Sequence, residues 1–171
     1  MAQGDLVGYD VEMIGLEDQL RRMRGADALI DKELTQAMTQ SVLTLEARIK
    51  PLTPVFRGRL RGSIGSQVRR EGVGSIVGIV GSSLNEVYPA VMEFGRRPGA
   101  AGPPSGALER WAHLVLGDGR LAYVVARSIH RKGIKGRQFM KRGFEAGKGA
   151  INQFFAHALE RIAQGLSNGR T

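Results

Sequence analysis

The chain has no cysteine in its 171 residues. That excludes disulfides, thiolate metal sites and a cysteine nucleophile. Aromatic residues are only 6% of the total, so a core has to be built mostly from aliphatic side chains. No apolar run approaches the ~18 residues that a membrane-spanning helix needs. The N-terminal MAQGDLVGYDVEM lacks the basic-then-apolar order of a secretory leader. These absences predict no membrane partner, and a chain that stays in a cytoplasm or leaves it only as part of a larger particle. The three histidines, His113, His130 and His157, form no i, i+4 pair of the metal-binding kind, so each is expected to be structural. Neither a metal nor another cofactor is expected.

What is present is glycine and positive charge. Twenty-four glycines are about twice the usual share and point to tight turns and loops that order on contact. A hydrophobic content of 42% with 24% charged residues is that of a folded chain, long enough for one domain with a real core. The charge is uneven. Residues 1–50 hold six Lys/Arg against nine Asp/Glu, and residues 51–171 hold 19 against seven, which together give the net +9. Such a split suits a nucleic-acid partner, an acidic protein surface, or head-to-tail self-association.

Patterning gives the elements. Tyr9–Met13 alternates as a short edge strand, and Gly15–Arg24 reads as a short helix. From Asp27, placed to cap, Leu29, Ile30, Leu34, Met38, Leu45 and Ile49 recur at helical spacing. Lys50 and Pro51 should end that helix, because a residue before proline is pushed out of the α region. Ser63–Arg70 and Val73–Ser82 read as antiparallel strands about a turn at Glu71–Gly72. Tyr88–Gly95 is apolar, and propensity does not decide between strand and helix. The stretch 95–106 is rich in Gly and Pro and reads as a flexible loop. Ser105 is placed to cap a helix with Leu108, Trp111, Ala112 and Val115 on its inner face. Leu121–Ile129 is a further helix, with Leu121, Val124, Val125 and Ile129 inward. A basic loop, RKGIKGR, precedes a last helix over Gln138–Gly165. Its Phe144, Ile151, Phe154, Phe155, Leu159 and Ile162 share a face, which glycines at 143, 147 and 149 weaken. The sum is an α+β fold with a long N-terminal helix, a small antiparallel β-sheet and C-terminal helices packed on it. No repeat appears, and no linker divides 1–171 into independent domains.

Few residues suggest chemistry. Glu86, Glu93 and Glu109 are candidates for acid–base work, but nothing brings them a nucleophile or a metal, so no enzyme is expected. GVGSIVG, Gly72–Gly78, resembles a phosphate loop faintly, yet its spacing fails the dinucleotide fingerprint and no helix follows. A small-residue strand closely approached by a neighbour is the better reading. Arg131–Arg142 carries six basic residues and offers phosphate contacts through Arg131, Lys132, Lys135 and Arg137, against the plain alternative of a solvated loop. No groove-reading element accompanies it. LTPVFRGRLRGSI, Leu52–Ile64, admits a phosphate site, a nucleic-acid contact or a structural corner. The corner fits best. Pro54 and Gly58 fix a turn, Leu60 and Ile64 point inward four residues apart, and Arg57, Arg59 and Arg61 splay outward, suited to carboxylates on a neighbour.

TPVFRGRLRGSI, Thr53–Ile64, resembles the T-P-V-D-T-G-R-L-R-x-S-I signature of small neck, head–tail connector and tail-completion proteins of tailed bacteriophages. VYPAVMEFG, Val87–Gly95, is similar to that family's Y-A-x-x-V-E-F-G segment. AYVVARSIHRKGIKGRQFMKRGFE, Ala122–Glu145, is similar to its helix, basic loop and phenylalanine before the final helix. The order and spacing agree over residues 10–165. Phe56 and Arg57 depart from the acidic and hydroxyl residues of the pattern, which removes any cap made there, and Pro89 interrupts the second segment. The resemblance implies a non-enzymatic virion protein that joins or completes the head–tail connection. It implies six- or twelve-fold rings of the chain with itself around a channel that passes DNA. Connector, tail-terminator or tail-tube proteins would be its neighbours. On this reading Arg57, Arg59, Arg61, Arg96 and Arg97 supply charged contacts, and Glu93 and Phe94 hold the base of the 95–106 loop. The alternative is a basic nucleic-acid-binding module acting through residues 131–142.

Overall fold

A computed structural model describes residues 7–11, 27–72 and 75–168. The elements are strand β1 (Val7–Val11), helix α1 (Asp27–Leu52), a short helix α2 (Arg59–Ser63), strands β2 (Ile64–Gly72) and β3 (Ser75–Ser82), helix α3 (Tyr88–Phe94), strand β4 (Gly95–Arg96), helix α4 (Ser105–Leu116), a 3-10 turn (Gly119–Leu121), helix α5 (Ala122–Lys132), strand β5 (Ile134–Lys135) and helix α6 (Phe139–Asn168). The chain is α+β, with a long N-terminal helix, an antiparallel sheet and a C-terminal helix packed on α1. It divides into two compact units, one of Met1–Asn85 with Phe139–Thr171 and one of Glu86–Gln138. The second is thus inserted in the sequence between β3 and α6, where the sequence had suggested one undivided domain. The helix expected over Gly15–Arg24 lies outside the described residues, as does the whole interval 12–26.

The first unit is organised by α1. Its buried residues Ile30, Leu34, Ala37, Met38, Val42, Leu45 and Ile49 recur three or four apart, each large one contributing about 2 kcal/mol on burial. The buried arc is broad because α1 has two neighbours, the sheet and α6. Ser41 lies within that arc and donates its hydroxyl to the Ala37 carbonyl at 2.7 Å, as a buried polar group must. The helix runs to Leu52, past the expected end at Lys50. Pro51 sits in the last turn, and Thr53 closes it. The Thr53 amide bonds the Ile49 carbonyl at 3.1 Å, and its Oγ1 donates to the same oxygen at 3.0 Å.

Strand β3 is the centre of a three-stranded sheet ordered β1-β3-β2, antiparallel throughout. The expected edge strand at Tyr9–Met13 is Val7–Val11 in the structure. The expected turn at Glu71–Gly72 is instead the end of β2, where Gly72 pairs Ser75 after an irregularity at Arg70/Gly72. Residues paired across the ladder share a face. Ile64, Ser66 and Arg70 of β2 lie opposite Ser82, Val80 and Ile76. Ser66 donates to Glu46 of α1 at 2.5 Å, and Arg70 meets Asp31 of α1 at 3.3 Å. That face therefore looks onto the helix. Gly78 belongs to it, and a Cβ there would lie 2.5 Å from both Met38 Sδ and Val42 Cγ1. Close approach, rather than a phosphate loop, accounts for this glycine.

The α1–α6 contact also depends on absent side chains. A Cβ on Gly143 would strike Ile49, one on Gly147 would lie 2.8 Å from Leu45 Cδ2, and one on Gly165 would strike Leu29. Rising positions on α6 meet falling positions on α1, so the helices are antiparallel. The glycines that weaken α6 as a helix are what let it approach. Phe139, Met140, Ile151, Phe155, Ala158 and Ile162 are buried. Leu159, expected inward, is exposed, and Phe144 and Phe154 are half-buried.

In the second unit, α3 settles the ambiguous Tyr88 segment as a helix. Pro89 stands in its first turn, where its missing amide costs nothing. The unit has almost no large-side-chain core. Its buried residues are Pro89, Glu93, Ala112 and Ala122. Leu108 and Trp111 are half-buried, while Val115, Leu121 and Val124, expected to face inward, are exposed. Helical spacing located the apolar positions but not what covers them. Ser105 opens α4 rather than capping it. The N-cap is Pro104, whose carbonyl accepts from the Ala107 amide at 3.0 Å.

Candidate functional site

Two places gather the residues singled out by sequence. The first is the corner between α1 and β2. Arg57 (φ 63) and Gly58 (φ 77) are both left-handed and reverse the chain into α2, where Gly62 bonds back to the Gly58 carbonyl at 2.8 Å. Leu60 and Ile64 are buried, as their spacing predicts, and Arg57, Arg59 and Arg61 are exposed. The corner is pinned by hydroxyls. Ser63 Oγ donates to the Leu60 carbonyl at 2.8 Å and stands 2.7 Å from Ser82 Oγ, which accepts from the Leu84 amide. Since Ser63 spends its proton on Leu60, Ser82 donates to Ser63. This chain of bonds fixes α2 to the end of β3, so the arginines are displayed from a rigid base.

The second place is a clasp in the inserted unit. Strands β4 and β5 pair antiparallel, Gly95 with Lys135 and Arg96 with Ile134. The Arg137 amide bonds the Met92 carbonyl at 2.8 Å, and the Gln138 amide bonds the Glu93 carbonyl at 3.1 Å. The 95–106 stretch, read as a loop, is tied to α5. The Gly99 amide bonds the His130 carbonyl at 2.7 Å, and His130 Nδ1 is 2.9 Å from the Ala100 carbonyl oxygen. Three glycines make this possible. Gly95 (φ 82) and Gly133 (φ 72) are left-handed, and a Cβ on either would strike backbone of the opposite strand. One on Gly136 would meet the Glu93 carbonyl.

The clasp brings together residues that sequence had assigned to separate tasks. Arg96 and Arg97, read as partner contacts, lie beside Lys135 and Arg137, read as nucleic-acid contacts. A shallow groove there is lined by Phe94, Gly95, Arg96, Arg97, Pro98, Ile134, Lys135 and Gly136. Arg131 and Lys132 close α5 just before it. Glu93 is 2% exposed, and its carbonyl lies in the clasp. Phe94 is 70% exposed. Arg57, Arg59 and Arg61 belong to the other unit. Sequence reasoning missed Tyr88, whose hydroxyl burial pushes to a higher pKa against the opposing charge of Arg137. It also missed the clasp glycines, although the spacing of Gly133 and Gly136 about a β-branched residue was a usable signal.

The arrangement is a display of cations and apolar groups. Among the described residues no cluster of His, Cys, Asp or Glu is placed to hold a metal ion, and no helix is long and apolar enough to cross a membrane. Compared with family models, curated proteins and solved structures, the chain gives no significant match to any of the three.

Proposed function

We propose that the chain is a structural, non-enzymatic subunit of a tailed-phage virion that joins or completes the head–tail connection. It works as a ring of six or twelve copies around the DNA channel, next to connector, tail-terminator or tail-tube proteins. The reading rests on the resemblance of three segments. One observation supports it: two of those segments, widely separated in sequence, lock together in space. Met92, Glu93 and Gly95, at the end of Val87–Gly95, bond or pair with Arg137, Gln138 and Lys135 of Ala122–Glu145, and Pro89, the departure in the second, is absorbed as the first turn of a helix. Residues that resemble a family pattern are then the residues that build one local structure. The remaining segment forms the corner that displays Arg57, Arg59 and Arg61.

The test is charge reversal at the exposed corner, Arg59→Glu with Arg61→Glu, in the intact virus, alongside light scattering of the purified chain over a range of concentrations. Heads that fill but fail to acquire tails, and a discrete six- or twelve-subunit species lost in the variant, are the expected results. Normal joining by the variant would refute the corner as a contact surface. A second reading, a nucleic-acid-binding module, is favoured by the gathering of Arg96 and Arg97 beside Lys135 and Arg137. It requires duplex binding that weakens steeply with salt and disappears when Lys132, Lys135 and Arg137 become Ala.

A further inference from the structure

The end of the inserted unit where α4 meets α5 is apolar and uncovered. Leu114, Val115 and Leu116 of the last turn of α4, Leu121 of the 3-10 turn, and Tyr123 and Val124 of the first turn of α5 are all exposed. His113 to Gly117 is exposed at every position, so this helix end stands out all round rather than resting on a neighbour. The six side chains offer an apolar surface on the order of 500 Å², at the upper end of what monomers leave in water. On α5 the surface runs into charge. Val124, Arg127 and Arg131 follow at helical spacing on its exposed side.

We infer that this α4–α5 tip is a docking surface for a different protein, one that presents apolar side chains flanked by carboxylates. Charge selects the partner. The inserted unit has nine Lys/Arg against four Asp/Glu, and the rest of the chain has sixteen against twelve. Of the four acids, Glu93 is buried and Asp118 is bonded to Arg120. A second copy docking through this same unit would bring a basic surface to a basic one. Three of the four acids of α1 offset this little, because Asp31, Glu33 and Glu46 already pair with Arg70, Arg161 and Lys50 of the same chain. A lipid surface is disfavoured by the turn at the apex. There Arg120 bonds both carboxylate oxygens of Asp118 through Nε, with Nη2 3.0 Å from Oδ2, and hydrocarbon would have to take up that ion pair first. A nucleic-acid duplex keeps its base faces stacked inside and presents mainly phosphates and groove edges, so it offers little to cover Leu114, Val115 and Leu116. The inference rests on this unit's surface and on the charge of the chain, and stands whether or not the chain belongs to a virion.

The chain's single tryptophan, Trp111, is half-buried on α4, three and four residues before Leu114 and Val115, and reports on the tip. The probes are a synthetic amphipathic helical peptide of Leu and Glu, its Leu/Lys counterpart, phosphatidylserine vesicles and a short DNA duplex. Saturable binding of the Leu/Glu peptide is expected, shifting the Trp111 emission. Little binding of the Leu/Lys peptide is expected. Leu114→Ser with Val124→Ser, both at exposed positions, should weaken the acidic peptide about tenfold or more, while Leu114→Met restores most of it. Failure of the Leu/Glu peptide to bind, equal binding of the Leu/Lys peptide, or indifference to the double substitution would each overturn the inference. So would tighter binding to vesicles or duplex through the same residues, or self-association that the double substitution abolishes.

Discussion

Three glycines of α6 allow the α1–α6 contact to be tested with one kind of substitution. A Cβ at position 149 meets nothing within 4 Å, whereas one at 147 lies 2.8 Å from Leu45 Cδ2 and one at 143 lies 3.0 Å from the Cα of Ile49. Gly149→Ala gains helix propensity and loses unfolded-chain freedom, so it stabilises by about 0.5–1 kcal/mol. Gly143→Ala gains the same terms but must push backbone away from backbone, and overpacking of a close contact costs about 1–3 kcal/mol. The propensity and unfolded-chain terms are common to both, so their difference isolates the packing, and it should be about 1–3 kcal/mol in favour of position 149. Gly147→Ala falls between, because the obstacle is the far end of a leucine side chain that can change rotamer. With a urea slope of about 2 kcal/mol/M, the Gly149 and Gly143 variants should differ by about 0.5–1.5 M in midpoint, read by far-UV circular dichroism, which follows the long helices. A Gly143→Ala midpoint equal to that of Gly149→Ala would refute the close antiparallel crossing.

Two further outcomes are expected. Gly133→Ala, like Gly95→Ala, meets a left-handed conformation and opposing backbone together, and should destabilise the inserted unit by at least about 2 kcal/mol. Gly99→Ala (φ 80) has nothing within 4 Å and should cost only the conformational part, about 1 kcal/mol; Trp111 emission reports the loss, and equal effects at 133 and 99 would refute the clasp. For Glu46, the hydrogen bond from Lys50 and then that from Ser66 hold the carboxyl below its ordinary pKa. Its contribution to stability is therefore present above the unfolded-state value and is lost as pH falls through the folded one. The difference in urea midpoint between the native chain and Glu46→Gln should shrink through the acid range, and a difference that stayed constant would refute the assignment.

Much of the first unit was legible because its contacts are periodic. Ile30 to Ile49 marked α1 and Ile151 to Ile162 marked most of the buried face of α6. The strands on either side of residues 73–74 could be read from their β-branched residues. What was not legible is contact made through missing atoms. Gly143, Gly147 and Gly78 lower the propensity of their elements, so sequence counts them as weaknesses, yet each admits a neighbour. The inserted unit failed differently. Val115, Leu121 and Val124 have the spacing of a core, and nothing in spacing distinguishes an apolar face that the chain covers from one that it leaves exposed. The basic residues were visible singly, but their joining required the β4–β5 ladder, whose two-residue strands carry no pattern of their own.

The two units thus hold themselves together by different means. Residues 27–52 bury large side chains against residues 139–168 and against the sheet, a source of stability that does not depend on company. Residues 86–138 bury alanine, proline and one glutamate, and are held by turns, a short ladder and glycine contacts. Apolar surface that would normally make a core points outward instead. Such a unit lies at the low end of local stability, and anything that binds its folded form stabilises it in proportion to RT ln(1 + [L]/Kd). A partner that covers Leu114, Val115 and Tyr123 would supply the burial the unit lacks, so docking and local ordering would be one event. With that coupling the surface would be fully formed only when such a partner is in place. It would also place the determinants of that recognition where the fold contributes least to its own stability.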